Sequence, residues 1–316
     1  MLIKRSEITQ NHAGGNGGGI LVAGLADFSI TSSKVLHNDA TGEGGGLWLD
    51  AASVHVSSSE INANDAGTGG GGICVTGGEL QLTWVTIENN NSAMKGAGLS
   101  AHDAVVKLSQ TSVTANISNG DGGGISASGA QMDLQIDKSF LFANKSNQGS
   151  GGAIAATEGK LNINLSSIFG NHSGLNGAGI SGADGLETVI KSSIFFLNQA
   201  NLDGIGGAMH LISDAPTTIS NTKVYENLAP AGGGMVLGGS GAKSISKSDF
   251  HGNWGAAGGG GILLQGGVLT LTDARVRSNI SQIIGGGVLI EGGTLTLVRS
   301  EVAGNSAPID PDISPA

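Results

Sequence analysis

The chain has 316 residues, with 57 Gly but only 5 Pro, 39% hydrophobic and 13% charged residues, and a net charge of −10. This composition excludes a collagen-like or disordered low-complexity chain, and the lack of any basic run or basic–aromatic interleaving argues against a nucleic-acid partner. Cys74 is the only cysteine, which excludes an intrachain disulfide and a Cys-based zinc site.

Met1-Leu2-Ile3-Lys4-Arg5 leads directly into polar sequence. No apolar signal core follows and no run of 18 apolar residues occurs, so no membrane-spanning helix is expected. Ile3, Ser6, Ile8 and Asn11 already hold positions that recur later in the chain. The chain therefore starts partway through a repeat and reads as a piece of something longer.

The repeat is marked by Asn11, Asn38, Asn64, Asn90, Asn116, Asn144, Asn171, Asn198, Asn227, Asn253, Asn279 and Asn305, at intervals of 26 to 29 residues. Within each unit, in chain order, an apolar residue stands eight before the Asn (Ile30, Val56, Leu82), a Ser or Thr usually stands five before it (Ser59, Thr111, Ser166), and a second apolar residue stands three before it (Ile8, Val35, Ile61). About nine residues after the Asn comes a small-residue triplet led by Gly, as in Gly17-Gly18-Gly19-Ile20, and then an alternating apolar pattern such as Leu47-Trp48-Leu49. Period two means strand. Three short strands per unit and no helical period predict an all-β, right-handed parallel β-helix of about twelve coils. At ~4.8 Å per coil the rod is on the order of 55 Å long. The expected organisation is one β-helix over residues 1–307 and a tail over 308–316, where Pro308 and Pro311 are expected to stop sheet pairing. The asparagines read as an amide ladder at a turn, which makes sequons such as Asn116-Ile-Ser118 by-products of the repeat.

Gly151-Gly152-Ala153-Ile154, with Phe195-x-x-Asn198 and Phe250-x-x-Asn253, resembles the repeats of chlamydial polymorphic outer membrane proteins and, more broadly, the pectate-lyase-like β-helix passengers of bacterial autotransporters and adhesins. The resemblance covers Ile8 to Ala307. It implies a secreted or surface-displayed, adhesin-like module at the extracellular or outer cell surface, although this chain shows no signal peptide.

Chemistry is expected on outward positions, because fold alone carries none. The column nine before the Asn (Ser29, His55, Gln81, Lys107, Gln135 and onward) is polar and almost uncharged. Alternating charges such as Glu7, Lys34, Glu60 and Asp249, Arg275, Glu301 read as coil-register pairs. Histidines fall on different rungs, Ser100, His102 and Asp103 lack a nucleophile elbow, and Trp48, Trp84 and Trp254 occupy different columns, so neither a metal triad nor an aromatic platform is expected. No catalytic residue and no cofactor are assigned. Asp39 and Asp65, each directly after a ladder Asn and between His12 and Asn91, form the one candidate metal site, a weak calcium site or acid/base pair, set against the reading of both as solvated turn residues. The expected partner face is the outward column of the Gly-led strand: Leu21, Trp48, Ser100, Ser126, Ser181, His210, Val236, Leu263 and Leu289, apolar at both ends and small in the middle. It would take a protein or glycan partner, or a second copy along the exposed strand face. The function expected is a non-catalytic surface module displaying a binding face; the alternative is a polysaccharide lyase or glycoside hydrolase.

Overall fold

In a computed structural model, which describes residues 1–24, 27–50 and 53–315, the chain winds into a parallel β-helix with no helix among the described residues. Ala316, the last residue of the expected tail, lies outside them. Four parallel sheets run the length of the rod. Sheet 1 holds twelve strands from Leu2–Lys4 to Thr294–Val298, sheet 2 twelve from Glu7–Thr9 to Glu301–Val302, sheet 3 eleven from His12–Ala13 to Ile280–Ser281, and sheet 4 twelve from Ile20–Ala23 to Ile313–Pro315. The three strands expected in each coil are thus joined by a fourth: the pair of residues after each Asn, such as Asp39–Ala40, makes its own ladder.

The inward residues stack into one core running from Phe28 to Val288, including the predicted columns Ile30, Val56, Leu82 and Val35, Ile61, Ile87. Burying each such side chain contributes about 1.5–3 kcal/mol. Between sheets the chain bends through left-handed backbone. The residue before every Asn has positive φ, as at Ala63 (54°) and Leu197 (54°), and so does the residue before every Ser/Thr position, as at Trp84 (57°) and Leu165 (49°). A non-Gly residue there costs roughly 1–2 kcal/mol, and its side chain is thrown outward. That is why Trp84 and Leu165 are exposed.

The asparagine amides offset that strain. Asn64 is fully buried. Its Oδ1 accepts from the backbone N–H and the Nδ2 of Asn38 (both 3.0 Å), while its own Nδ2 donates to the Val35 carbonyl (3.0 Å) and to Asn90 Oδ1 (2.9 Å). The same pattern links Asn11 to Asn305 without a gap. A second ladder runs through the Ser/Thr column, where the backbone N–H of Ser33 donates to Ser59 Oγ (3.0 Å) and that of Ser139 to Ser166 Oγ (3.1 Å).

The invariant first Gly of each triplet also lies at positive φ, for example Gly151 (69°), and a Cβ there would meet the Ile154 carbonyl. The third member abuts the next amide: a Cβ on Gly72 would sit 3.1 Å from the Asn90 side chain. Small residues at the triplet are the condition for a packed amide ladder.

The tail corrects one expectation. Pro308 and Pro311 do not end the pairing; Ile309 bridges Ile284, and Ile313–Pro315 pairs in parallel with Val288–Ile290. Pro is tolerated because this strand is the edge of sheet 4. Asp312 takes the place of the next rung, its Oδ1 accepting the backbone N–H and Nδ2 of Asn305 (both 3.0 Å). A carboxylate suits this place, since the last rung needs an acceptor and has no further coil to receive a donor.

Asn116→Ala should lower stability by roughly 2–4 kcal/mol, by leaving buried donors of Asn90 without an acceptor, and Asp312→Ala by about 1 kcal/mol, its rung being partly exposed. Urea denaturation midpoints check this, and equal midpoints for the two variants would contradict it.

Candidate functional site

The expected partner face forms one in-register column of sheet 4, from Leu21 through Trp48, Ser100, Ser126, Ser181 and His210 to Val236, Leu263 and Leu289. Much of it is nevertheless covered. Val236, Leu263 and Leu289 are only 0%, 1% and 6% exposed, packed under Ile205, Ala231 and Ile284. Each of these covering residues immediately precedes a Gly triplet, so in these three coils a short segment folds over the column. Ser100 and Cys74 are buried too, and burial pushes the Cys74 thiol well above its usual range. Trp48 is half-buried and donates from Nε1 to Glu43 Oε2 (3.4 Å), Glu43 being another residue before a triplet. The apolar stripe at the C-terminal end is therefore a small second core rather than a partner face. Leu21 alone of its apolar members stays open, at 55%. His210 lies in the covered stretch, and burial pulls its pKa down to about 4.

Asp39 and Asp65 are neighbours on sheet 3, with His12 and Asn91 on either side as expected. Asp39 Oδ2 is 2.6 Å from His12 Nδ1. Asp65 has its pKa raised, by burial and then by the charge of Asp39. No group of three or more His, Cys, Asp or Glu side chains converges among the described residues. The pair alone supplies at most four of the six to eight oxygens calcium takes.

Sheet 2 carries a feature that was not expected. Two residues before the Asn, on outward positions of successive coils, stand Phe142, Phe169, Phe196, Tyr225 and His251, in register. Their rings stack with centroid separations of 5.0, 4.7, 5.2 and 5.1 Å and are within 13° of parallel. Each contact is worth about 1 kcal/mol. The flat faces of the inner rings are occupied by their neighbours, so the strip presents ring edges, and Phe140 (55% exposed) widens it in the adjacent column. This aromatic column was not anticipated, although it offers ring edges rather than a stacking platform. The three Trp residues do sit apart, but Phe, Tyr and His supply the column instead. The signal was present in the sequence at the position two before Asn144 to Asn253.

The ladder ends in charge. Arg277 holds the next rung, and its Nη2 donates to Asp249 Oδ2 (2.8 Å), which lies 3.2 Å from His251 Nδ1. Lys223 and Arg275 occupy the rungs on either side of Asp249. The ion pair of Asp249 thus runs diagonally to Arg277 rather than along its own column. Asp249 Oδ1 and His251 Nδ1 are buried without a hydrogen-bond partner among the described residues. The cluster brings together a carboxylate, an imidazole, a phenol and three cations on one outward face, which no single column of the sequence displayed.

Other charged groups are structural. Lys34 reaches Glu60 (3.3 Å) and Arg299 grips Asp273 through two bonds (2.7 and 2.8 Å), as expected of register pairs. His102 turns to Ser128 Oγ (3.1 Å) and Asp103 (3.3 Å), leaving Ser100 out of any triad. Lys243 was not anticipated: it is 2% exposed in an inward column and donates to the carbonyls of Gly239 (2.9 Å) and Gly241 (2.5 Å), and burial lowers its pKa. No protein-family model, no curated protein and no solved structure matches the chain.

His210 gives the fold a pH dependence. Its pKa is about 4 folded against 6.5 unfolded, so between these values the unfolded chain binds the extra proton and stability falls as pH falls. Wild-type protein should lose on the order of 2–3 kcal/mol from pH 7 to pH 4 through this group, and His210→Gln should flatten that part of the profile. Urea titrations at a series of pH values check it, and identical profiles would contradict it.

Proposed function

We propose that this chain is a non-catalytic β-helix module, secreted or on the outer cell surface, that acts in an adhesin-like way by displaying a binding face to a glycan or protein partner. The observation that carries the reading is the five-ring ladder of sheet 2. Stacking holds these rings in place before any partner arrives, so little side-chain freedom is left to lose on binding, and aromatic residues are enriched where interfaces concentrate their energy. The covered column of sheet 4 offers no such surface. The regular coils and the Gly-Gly-Ala-Ile and Phe-x-x-Asn elements support kinship with bacterial β-helix passengers, and with it the extracellular location.

One specific observation favours a second reading, a polysaccharide lyase or glycoside hydrolase. Tyr225, His251 and Asp249 could exchange protons with a substrate while Arg277, Arg275 and Lys223 neutralise an acidic group beside them.

Arrays of immobilised glycans and extracellular proteins, probed with labelled chain, test the first reading. The double variant Phe140→Ser/Phe142→Ser, which touches only the exposed end of the strip, should keep its circular dichroism and lose at least tenfold in array binding. Undiminished binding by that variant, or no binding by the wild type, would sink it. Incubation with pectins, alginates and glycosaminoglycans tests the second: unsaturated or reducing-end products that disappear in His251→Gln would establish it, and no products from any of them would exclude it for these substrates.

A further inference from the structure

The solenoid departs from its regular form at one place on sheet 3. The strand after the Asn is two residues long in most coils but extends to Leu228–Ala231 and Trp254–Gly258 in two adjacent ones. Their register slips between Ala229 and Ala231, so that Ala256 and Ala257 oppose the single residue Pro230. This is a β-bulge at a residue that has no N–H to pair. In the preceding coil, Asn201 to Gly204 forms a turn closed by a Gly204 N–H to Asn201 carbonyl bond (2.9 Å), with Leu202 at its tip, 92% exposed. Between bulge and turn lies a cavity of about 130 Å³ lined chiefly by Leu202, Leu228, Pro230 and Trp254, with the amides of Gln199 and Asn201 at its rim. A dry apolar cavity of ~150 Å³ holds a benzene ring, so this one is of the size of a phenyl or leucyl group.

Asn201 also lines a second hollow, of about 300 Å³, with Lys145, Ser146, His172 and Ser173. Lys145, His172, Gln199, Leu228 and Trp254 are successive rungs. Lys145 makes no ion pair among the described residues, and burial, with the neighbouring Lys145 charge, lowers the pKa of His172. The two hollows share Asn201, and this furrow of two adjoining hollows sets one cation four rungs, roughly 19 Å at ~4.8 Å per rung, from the Trp254 rung of an apolar socket.

We propose that this furrow is a docking site for an extended polypeptide segment of a protein partner, which seats a phenyl-sized or leucyl side chain against Trp254 and Leu202 and sets an acidic side chain, about five residues away, against Lys145. A segment of that length spans ~17 Å when extended, and Trp is enriched among the residues that carry the energy of such contacts. The site lies three residues along the chain from the aromatic ladder, around the Asn198, Asn227 and Asn253 corner, so one partner reaches both. The proposal rests on the display-module reading and commits it to a protein.

The probe is the hexapeptide acetyl-Asp-Gly-Ser-Gly-Ser-Phe-amide, titrated against the full chain while the Trp254 indole N–H is followed by NMR. The expected result is a saturable shift at millimolar peptide, weakened about tenfold in Leu202→Ser, whose tip side chain contributes nothing to the core, and about threefold in Lys145→Ser or when the peptide carries Asn for Asp. No Trp254 shift, or a shift unchanged in both variants, overturns the proposal. If the array binding lost in Phe140→Ser/Phe142→Ser is real while Trp254 stays silent, the display reading stands and the peptide site falls. If array binding is absent altogether, the display reading falls first.

Discussion

A buried primary amide can be retained in a protein interior only if its two donors and its acceptor are matched, and in this chain each interior Asn is matched by the Asn residues of the two neighbouring coils and a carbonyl of the preceding one. The result has a direction. Every interior rung gives one Nδ2 proton to the Asn of the following coil, accepts from the Asn of the preceding one, and gives its other proton back to a carbonyl of the preceding coil. The amide therefore ties coil to coil and fixes their relative height, and it tolerates the left-handed residue that must precede it at each corner. The Gly triplet follows from the same demand, because its third residue lies against the amide of the following coil. So does Asp312, a pure acceptor at the point where the donors run out.

Strict register has a consequence for the surface. Residues in equivalent positions of successive coils are brought to within ~5 Å whatever their chemistry, so the outer wall is a set of columns. Like charges are avoided along most of them, opposite charges pair, and rings stack. The five-ring ladder is a by-product that the helix could not avoid once aromatic residues were placed two before the Asn in five adjacent coils. Its position next to the bulge at Pro230 concentrates the irregular, apolar and charged features of the molecule on one corner of the rod. Insertions in a solenoid that fall on one face are typical of a binding face.

The repeat made the fold legible because it is written twelve times: the inward columns, the corners and the coil number could all be read from the spacing of Asn. The fourth sheet was missed because two residues, such as Asp39 and Ala40, are too few to show alternation. The Ile313–Pro315 strand was missed because Pro308 and Pro311 argue locally against pairing, and only an edge position makes them harmless. The covering of the C-terminal end of the expected partner face was hidden for a different reason. Leu263 alternates outward from its strand as expected, but the residues packed on its cluster, Ile205, Ala231 and Ile284, stand where other coils carry Asn16, Glu43 or Lys95, so no apolar period marks them. The aromatic ladder was readable in principle, since Phe169 and Phe196 hold the same register position. The inward Phe195 and Phe250 lie in the next column and the three Trp residues are scattered, so no single aromatic type marks it. The Asp249, His251 and Arg277 contact is diagonal between columns, which spacing along a single column does not display.

The central claim, that a continuous buried amide ladder holds the coils together, is tested most directly by side-chain amide hydrogen exchange measured rung by rung with NMR. The Nδ2 protons of the interior asparagines, Asn64 through Asn253, should exchange only with global unfolding and share one protection value, while the surface amides of Asn201 and Asn221 exchange freely. Interior rungs that exchange as fast as those surface amides, or that vary from coil to coil without relation to the ends of the rod, would contradict it.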